Sequence, residues 1–197
     1  MRGSENMTAA ILVRNARRAS RLSQVALSER SGVPQSSISL IESGDRAPEW
    51  ATVDRLLAAT GQAMVIIPTR REDVASIANR IAAAERNGDG TRAVRAFIQL
   101  ADNLAAEHDE VRFALAISEP PSTGLKHWDA ALAGLADYRL TEEGLPLPRW
   151  VRDPARLLAR SWTFGAGDYV TPVQRDRVPK AFLDRKVLID RDTLVSV

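Results

Sequence analysis

The stretch RLSQVALSERSGVPQSSISLIESGDRAP, residues 21–48, decides how the N-terminal part of this chain folds. It predicts two short helices joined by a tight turn. Ser23 is a good N-cap for the first of them, over about residues 24–30, because its oxygen can accept a hydrogen bond from a backbone N–H that has no partner in the helix. Gly32 ends that helix, since glycine adopts left-handed backbone angles without a steric penalty.

The second helix of this stretch, over about residues 34–42, has two chemically different sides. Pro34 suits its first turn, where no N–H is needed, and Ile38 and Ile41 fall on the core side. The opposite side carries short uncharged groups: Gln35, Ser36, Ser37 and Ser39. Serine is a poor helix-interior residue, so a merely solvated face would more often carry Glu and Lys. Small polar groups and a Gln able to pair with adenine suit a DNA major groove; alternatively, the serines only form local caps and turns.

Residues 11–61 resemble the helix-turn-helix domain of the Xre/Cro/phage-repressor type. Matching residues occur at the spacing of that family along this whole segment: Arg14, Arg17, Leu22, Ser23, Gln24, Leu27, Gly32, Val33, Ser37, Ile38, Ser39, Ile41, Glu42, Gly44, Pro48, Leu56 and Gly61. The resemblance implies a five-helix-type DNA-binding domain. In such a domain the second helix of the helix-turn-helix pair lies in the major groove. Pro34 departs from the pattern, which usually has Ser or Thr there, and Ala26 replaces a more common charged residue.

The resemblance assigns roles to individual side chains. We expect base edges to be contacted by Gln35, Ser36, Ser37 and Ser39. We expect phosphates to be contacted by Gln24, Arg46 and Arg21. Arg17 and Glu42 are implied to form an internal salt bridge between the first and third helices, away from DNA. A symmetric homodimer would place two such helices ~34–36 Å apart on a double-stranded operator.

The flanking segments predict the rest of this domain. Thr8 is a plausible N-cap for a helix over about residues 9–20, whose inward residues are Leu12, Ala16 and Ala19. A fourth helix over about residues 49–60 is expected to pack through Trp50, Val53, Leu56 and Leu57. The apolar run at residues 63–67 predicts a buried strand, which could pair with a second subunit or with the later domain; C-terminal helices are the alternative dimer interface.

Charge and composition divide the chain near residue 70. Residues 1–70 carry 9 Arg and Lys and 6 Asp and Glu, a balance of +3, whereas residues 71–197 carry 18 and 19, a balance of −1. The basic surplus therefore lies where phosphates would be met. We predict a DNA-binding domain at residues 8–70 and a helical domain at residues 71–197.

The second domain is predicted to be mostly α-helical with one small β element. Helical periods cover about residues 71–87, 91–107, 109–117, 126–140 and 154–161, followed by a short helix at 177–185, a strand at 186–189 and a last turn at 190–194. The turn at residues 87–90 contains Asn and Asp, but the other oxygen ligands of a calcium loop are absent. Residues 162–167 predict a loop that buries two aromatic rings.

Nothing in the sequence indicates catalysis, a metal or a cofactor, so we expect a protein that is not an enzyme. The chain has no cysteine, and its two histidines, His108 and His127, are not paired at metal-ligand spacing. Residues 165–168, GAGD, resemble a fragment of a nucleotide-binding loop without the strand and helix that such a loop needs. No apolar run approaches the ~20 residues that span a bilayer, and no secretory signal is present. We therefore expect a cytoplasmic protein that does not contact membranes.

The C-terminal third concentrates aromatic residues and ordered motifs. Trp128, Trp150, Trp162, Phe164 and Phe182 predict either a core between short helices or a docking surface. The motifs, at residues 119–124, 126–133, 144–150, 153–156 and 179–190, resemble helix-turn-helix proteins encoded beside nucleotidyltransferase-like toxins. That resemblance implies a transcriptional repressor that acts as an antitoxin and binds its toxin through this domain. The alternatives are a regulator whose C-terminal domain senses a small molecule, and an enzyme fused to a DNA-targeting domain.

Overall fold

The structure, a computed structural model, describes residues 2–64, 66–165 and 173–195. The chain forms two compact units, Met1–Ile67 and Pro68–Val197, here called the N-terminal and C-terminal units. The expected mostly α-helical fold with one small β element is confirmed. Within the described residues, no helix combines the length and the hydropathy needed to cross a bilayer.

The N-terminal unit is built from helices α1 to α4. Their bounds are Arg2–Ala19 for α1, Gln24–Ser31 for α2, Gln35–Ser43 for α3 and Trp50–Ala59 for α4. The predicted N-cap at Thr8 is wrong, because α1 continues through it. The buried side of α1 contains Ala10, Ile11, Val13 and Ala16, whereas Ala19, its last residue, is exposed.

Local capping ends α2 and begins α3 as the sequence predicts. The Ser23 hydroxyl accepts a hydrogen bond of 3.0 Å from the N–H of Ala26. Gly32 has a φ of 69°, and its N–H bonds back to the carbonyl of Ser28. Pro34 precedes α3 as its cap residue without a side-chain hydrogen bond. The core below the turn consists of Val13, Leu27, Val33, Ile38, Ile41 and Leu56.

A two-pronged salt bridge joins α1 to α3. Arg17 Nε and Nη2 each donate to one carboxylate oxygen of Glu42 at 2.7 Å, and Arg17 Nη1 donates to the carbonyl of Leu22 at 2.9 Å. The Glu42 side chain is only 5% exposed. Burial raises the pKa of Glu42, but the hydrogen bonds from Arg17 and Gln24, together with the positive charges of Arg17 and Arg14, outweigh it, so the pKa lies below its ordinary value. Glu42 is therefore ionised and Arg17 stays protonated at neutral pH.

Two predictions about α4 and the residues after it are wrong. Trp50 is 63% exposed rather than packed, because it is the first residue of α4 and helical side chains point toward the N-terminus, here beyond the helix end. Residues 62–64 and 66–67 are irregular rather than a strand, and Ile66 is 90% exposed. Val65 lies outside the described residues. An apolar run alone does not make a strand, since a strand also needs a partner for its backbone groups.

The C-terminal unit surrounds one buried helix, α8. Its helices are α5 (Val74–Arg86), α6 (Gly90–Ala106), α7 (Asp109–Ile117), α8 (Lys126–Glu142) and α9 (Lys180–Leu183). Strands β1 (Trp162–Thr163) and β2 (Val187–Leu188) pair in parallel, with Trp162 opposite Val187. Every residue of α8 from Trp128 to Ala136 is buried, which is the pattern of a helix enclosed on all sides.

Several local predictions for this unit need correction. The predicted helix over 154–161 is only a 3-10 turn, Pro154–Arg156, although Asp153 caps it by accepting from the N–H of Ala155. The Arg156 guanidinium is buried and donates to the carbonyl of Pro120, a tertiary contact that local propensity does not include. Trp162, expected in a loop, lies in β1. Asp89, in the Asn- and Asp-containing turn, serves as the N-cap of α6.

Replacing Gly134 by alanine is expected to destabilise the C-terminal unit. A Cβ there would lie 2.7 Å from Cδ1 of Phe182, whose ring is completely buried. Overpacking typically costs ~1–3 kcal/mol, against a helix-propensity gain of ~1 kcal/mol. We expect a net loss of about 1 kcal/mol in urea unfolding, partly recovered by adding Phe182→Leu. A Gly134→Ala chain that is more stable than the parent would contradict this packing.

Glu42→Ala is expected to destabilise the N-terminal unit by ~3 kcal/mol. Removing one partner of a buried pair leaves the other charge without compensation, and Arg17 is 15% exposed. Hydrogen exchange on the intact chain, read at the amides of α2 and α3, measures the effect locally. Unchanged protection in these helices would show that the pair does not stabilise the domain.

The same pair predicts an acid-sensitive domain. Because the pKa of Glu42 is lowered on folding, its contribution is fully present above the unfolded pKa, ~4.3. It is lost as the pH falls through the lower folded pKa. Glu42→Gln keeps the shape without the charge, so the stability of α2 and α3 should depend less on pH in this window than in the parent. Equal pH dependence in both chains would be evidence against this assignment.

Candidate nucleic-acid interface

The outward face of α3 is polar and continuous. Gln35, Ser36 and Ser39 are exposed, whereas Ser37 is half-buried at the edge of the face. The opposite side buries Ile38, Ile41 and Glu42. The centre of the outward face therefore runs through residues spaced like successive turns of a helix: Ser36, Leu40 and Ser43.

Leu40 and Ser43 also lie on this face, in addition to the residues that the sequence predicts. Leu40 is 45% exposed, although it is apolar. Ile38 and Ile41 supply the apolar contacts on the buried side of α3. The spacing in the sequence already favours this position, because Leu40 follows Ser36 by four residues and precedes Ser43 by three, which places all three on one side of a helix.

Hydrogen bonds connect the buried ion pair to the exposed face. Gln24 Nε2 donates to Glu42 Oε2 at 3.0 Å, and Gln35 Nε2 donates to Gln24 Oε1 at 2.9 Å. An ionised carboxylate only accepts, so Glu42 forces Gln24 to turn its NH2 inward and its oxygen toward Gln35. Gln35 must then use its NH2 toward Gln24. Its oxygen and its second N–H remain for another molecule.

This orientation leaves Gln35 with the groups that pairing with adenine needs. Adenine presents the N6 donor and the N7 acceptor in the major groove, and a Gln amide satisfies both with one oxygen and one N–H. Gln35 retains one of each after its bond to Gln24. The charge on Glu42 thus determines, through Gln24, which atoms Gln35 can present.

Arg46 lies on the other side of α3. Its Nη1 donates to the Ser37 hydroxyl at 3.1 Å, and its backbone N–H donates to the carbonyl of Leu40 at 3.0 Å. Its guanidinium is exposed and has further N–H groups. Gln24 and Arg46 therefore flank the polar face on opposite sides. Arg21 is exposed in the turn after α1 and is not part of either hydrogen-bonded group.

The histidines of the C-terminal unit have separate surroundings. His108 Nδ1 contacts Glu143 at the start of α7. The His127 ring lies against Trp162, with ring centroids 4.5 Å apart and planes inclined by 34°, and burial lowers the pKa of His127. No group of three or more potential metal-binding residues occurs in the described part of the chain. Of residues 165–168, only Gly165 is among the described residues.

Three of the five aromatic residues that predicted either a core or a docking surface are core residues. Trp128, Trp150 and Phe182 are at most 5% exposed. The indole N–H groups of Trp128 and Trp150 donate to Glu85 and to the carbonyl of Ala116, as buried Trp residues require. Trp162 and Phe164 are half-buried and remain partly accessible.

The C-terminal motifs contact one another. Asp129 accepts hydrogen bonds from Ser122 and from the backbone and hydroxyl of Thr123. Arg185, in the motif at residues 179–190, donates to the carbonyl of Val151, which directly follows the motif at residues 144–150. Together with the bond from Arg156 to Pro120, these contacts give the motif residues a structural role in holding short segments together.

Comparison with known proteins assigns the N-terminal unit. Residues 9–63 match the family model of a helix-turn-helix domain. The comparisons with curated proteins and with solved structures gave no match. The matched segment contains α2, α3 and α4 in full together with the second half of α1. The N-terminal unit is therefore a helix-turn-helix domain, the kind of domain through which transcriptional regulators bind DNA.

Proposed function

We propose that this chain is a sequence-specific transcriptional repressor of the Xre type that binds a double-stranded operator as a homodimer. The observation that carries the proposal is the hydrogen-bonded series from Glu42 through Gln24 to Gln35. It holds a base-reading amide in a fixed orientation on an exposed helix face. A solvated helix has no use for such an arrangement, whereas base recognition depends on it.

The proposal gives each side chain of this face a role. Base edges are read by Gln35, Ser36, Ser37 and Ser39. Phosphates are bound by Gln24, Arg46 and Arg21. Gln24 serves both the frame and the phosphate contact, because its second N–H is not used by Glu42. Repression then follows from occupancy of the operator.

The C-terminal unit is proposed to bind a toxin, which makes the chain the antitoxin of a toxin–antitoxin pair. The resemblance of its motifs supports this assignment. The unit also has an open cleft of about 810 Å³ near its start, lined by polar and charged residues, among them Arg70, Glu72, Asn103 and Glu107. Small-molecule sites are usually enclosed and mostly apolar, and this cleft has neither property.

Gln35→Ala and Arg46→Ala are expected to weaken DNA binding in different ways. Gln35→Ala should cost ~1–3 kcal/mol on the operator and relax specificity at one base pair. Arg46→Ala should weaken operator and random DNA alike and reduce the salt slope by ~1 per half-site. Binding titrations at several salt concentrations separate the two effects. If both variants bind like the parent, the assigned face is not the DNA-binding face.

The toxin proposal predicts a stable complex that does not depend on DNA recognition. Co-expression with the product of the neighbouring gene should give a stoichiometric complex, and Gln35→Ala should form it as the parent does. The expected neighbour is a nucleotidyltransferase-like protein that inhibits growth when produced alone. Failure to form the complex, together with thermal stabilisation of the chain by a metabolite, would instead support a ligand-responsive regulator.

A further inference from the structure

Leu40 is an apolar side chain on the polar face of α3. It is 45% exposed and lies between Ser36 and Ser43, one helical turn from each. The core of the N-terminal unit is formed by other residues, including Ile38 and Ile41. A single exposed leucine is ordinary elsewhere on a protein, but this one is the largest apolar group on the face that is proposed to enter the groove.

The hydrogen bonds around α3 fix where Leu40 sits relative to the polar groups. Gln35 is held on one side by Gln24, and Ser37 is held on the other by Arg46. The backbone N–H of Arg46 also bonds to the carbonyl of Leu40, which ties the loop to this turn of the helix. Leu40 therefore projects from a part of α3 that these hydrogen bonds hold in place. Its neighbours on the face, Ser36 and Ser43, are small and leave its methyl groups accessible.

The edges of DNA bases offer one apolar group in the major groove, the C5-methyl of thymine. Guanine and adenine present hydrogen-bonding groups at their major-groove edges, and cytosine presents its N4 amino donor beside a C5–H that carries no methyl group. Leu40 cannot form a hydrogen bond, so placing it over those groups would remove water from them without replacement. Over thymine, the same side chain buries a methyl group.

We propose that Leu40 contacts the C5-methyl group of a thymine and makes each half-site select thymine at that position. The inference rests on the proposed function, because it requires α3 to lie in the major groove. It adds a fifth specificity residue that works by apolar contact, whereas Gln35 and the serines work by hydrogen bonding. Burial of one methyl group corresponds to an approximately fourfold change in affinity per half-site.

The experiment removes or adds the methyl group on the DNA and the side chain on the protein. The operator is first defined by selection from random DNA with the parent chain. Each thymine of a half-site is then replaced in turn by deoxyuridine, which lacks only the methyl group. At one position the parent should lose affinity about fourfold, whereas Leu40→Ala should bind both DNAs equally. At that same position 5-methylcytosine should bind the parent better than cytosine.

Two controls keep the result specific. Leu40→Ala places a good helix former at an exposed site, so it should fold like the parent. Leu157→Ala removes a leucine that is 50% exposed in the C-terminal unit, and it should keep the parent's methyl dependence. If the operator is bound but no thymine shows a methyl effect that depends on Leu40, this inference is wrong and the proposed function stands. If no DNA is selected, the proposed function fails as well.

Discussion

The N-terminal unit depends on one buried negative charge. Arg17 keeps Glu42 ionised. Two hydrogen bonds of 2.7 Å, from Arg17 Nε and Nη2 to the two carboxylate oxygens of Glu42, join α1 to α3. The same carboxylate fixes the amide of Gln24, which in turn fixes Gln35. A single ion pair thus stabilises the packing of the helices and sets the polarity of the exposed face. Loss of that charge is expected to disturb both properties together, because no other side chain in this network is restricted to accepting hydrogen bonds.

Arginine has a comparable structural role in the C-terminal unit. Arg112, Arg139, Arg156 and Arg185 are buried, and all four donate to main-chain carbonyls. This unit contains many short elements, whose ends leave carbonyl groups without helical partners. A guanidinium offers five donors and can satisfy several such groups at once. The arginine-rich composition therefore reflects internal hydrogen bonding as well as surface charge, and the proposed partner surface must be sought among the remaining residues.

The two parts of the DNA-binding face differ in how they can be inferred. The polar residues of α3 are evident from the sequence, since glutamine and serine at these positions are poor choices for a purely solvated helix. The sequence predicts no DNA contact by Leu40, since an apolar residue in an amphipathic helix more often lies in the core. Its spacing from Ser36 and Ser43 favours the outward face, and its 45% exposure shows that it lies there. The apolar type of Leu40 favours burial, but its position on the helix is on the outward side, and this position determines its exposure.

The sequence by itself determined helices α2 to α4 of the N-terminal unit, the caps at Ser23 and Gly32, and the presence of helix α8, because these features follow from local hydrogen bonding and residue spacing. Tertiary structure alone decided the exposure of Trp50, the irregular backbone around Ile66, the shortness of the turn at Pro154 and the pairing of β1 with β2. Trp50 is exposed because it begins α4 and its side chain points beyond the helix end, whereas the last three depend on whether a distant segment supplies a partner. Local sequence fixes which groups need one, and only the folded chain brings one within reach.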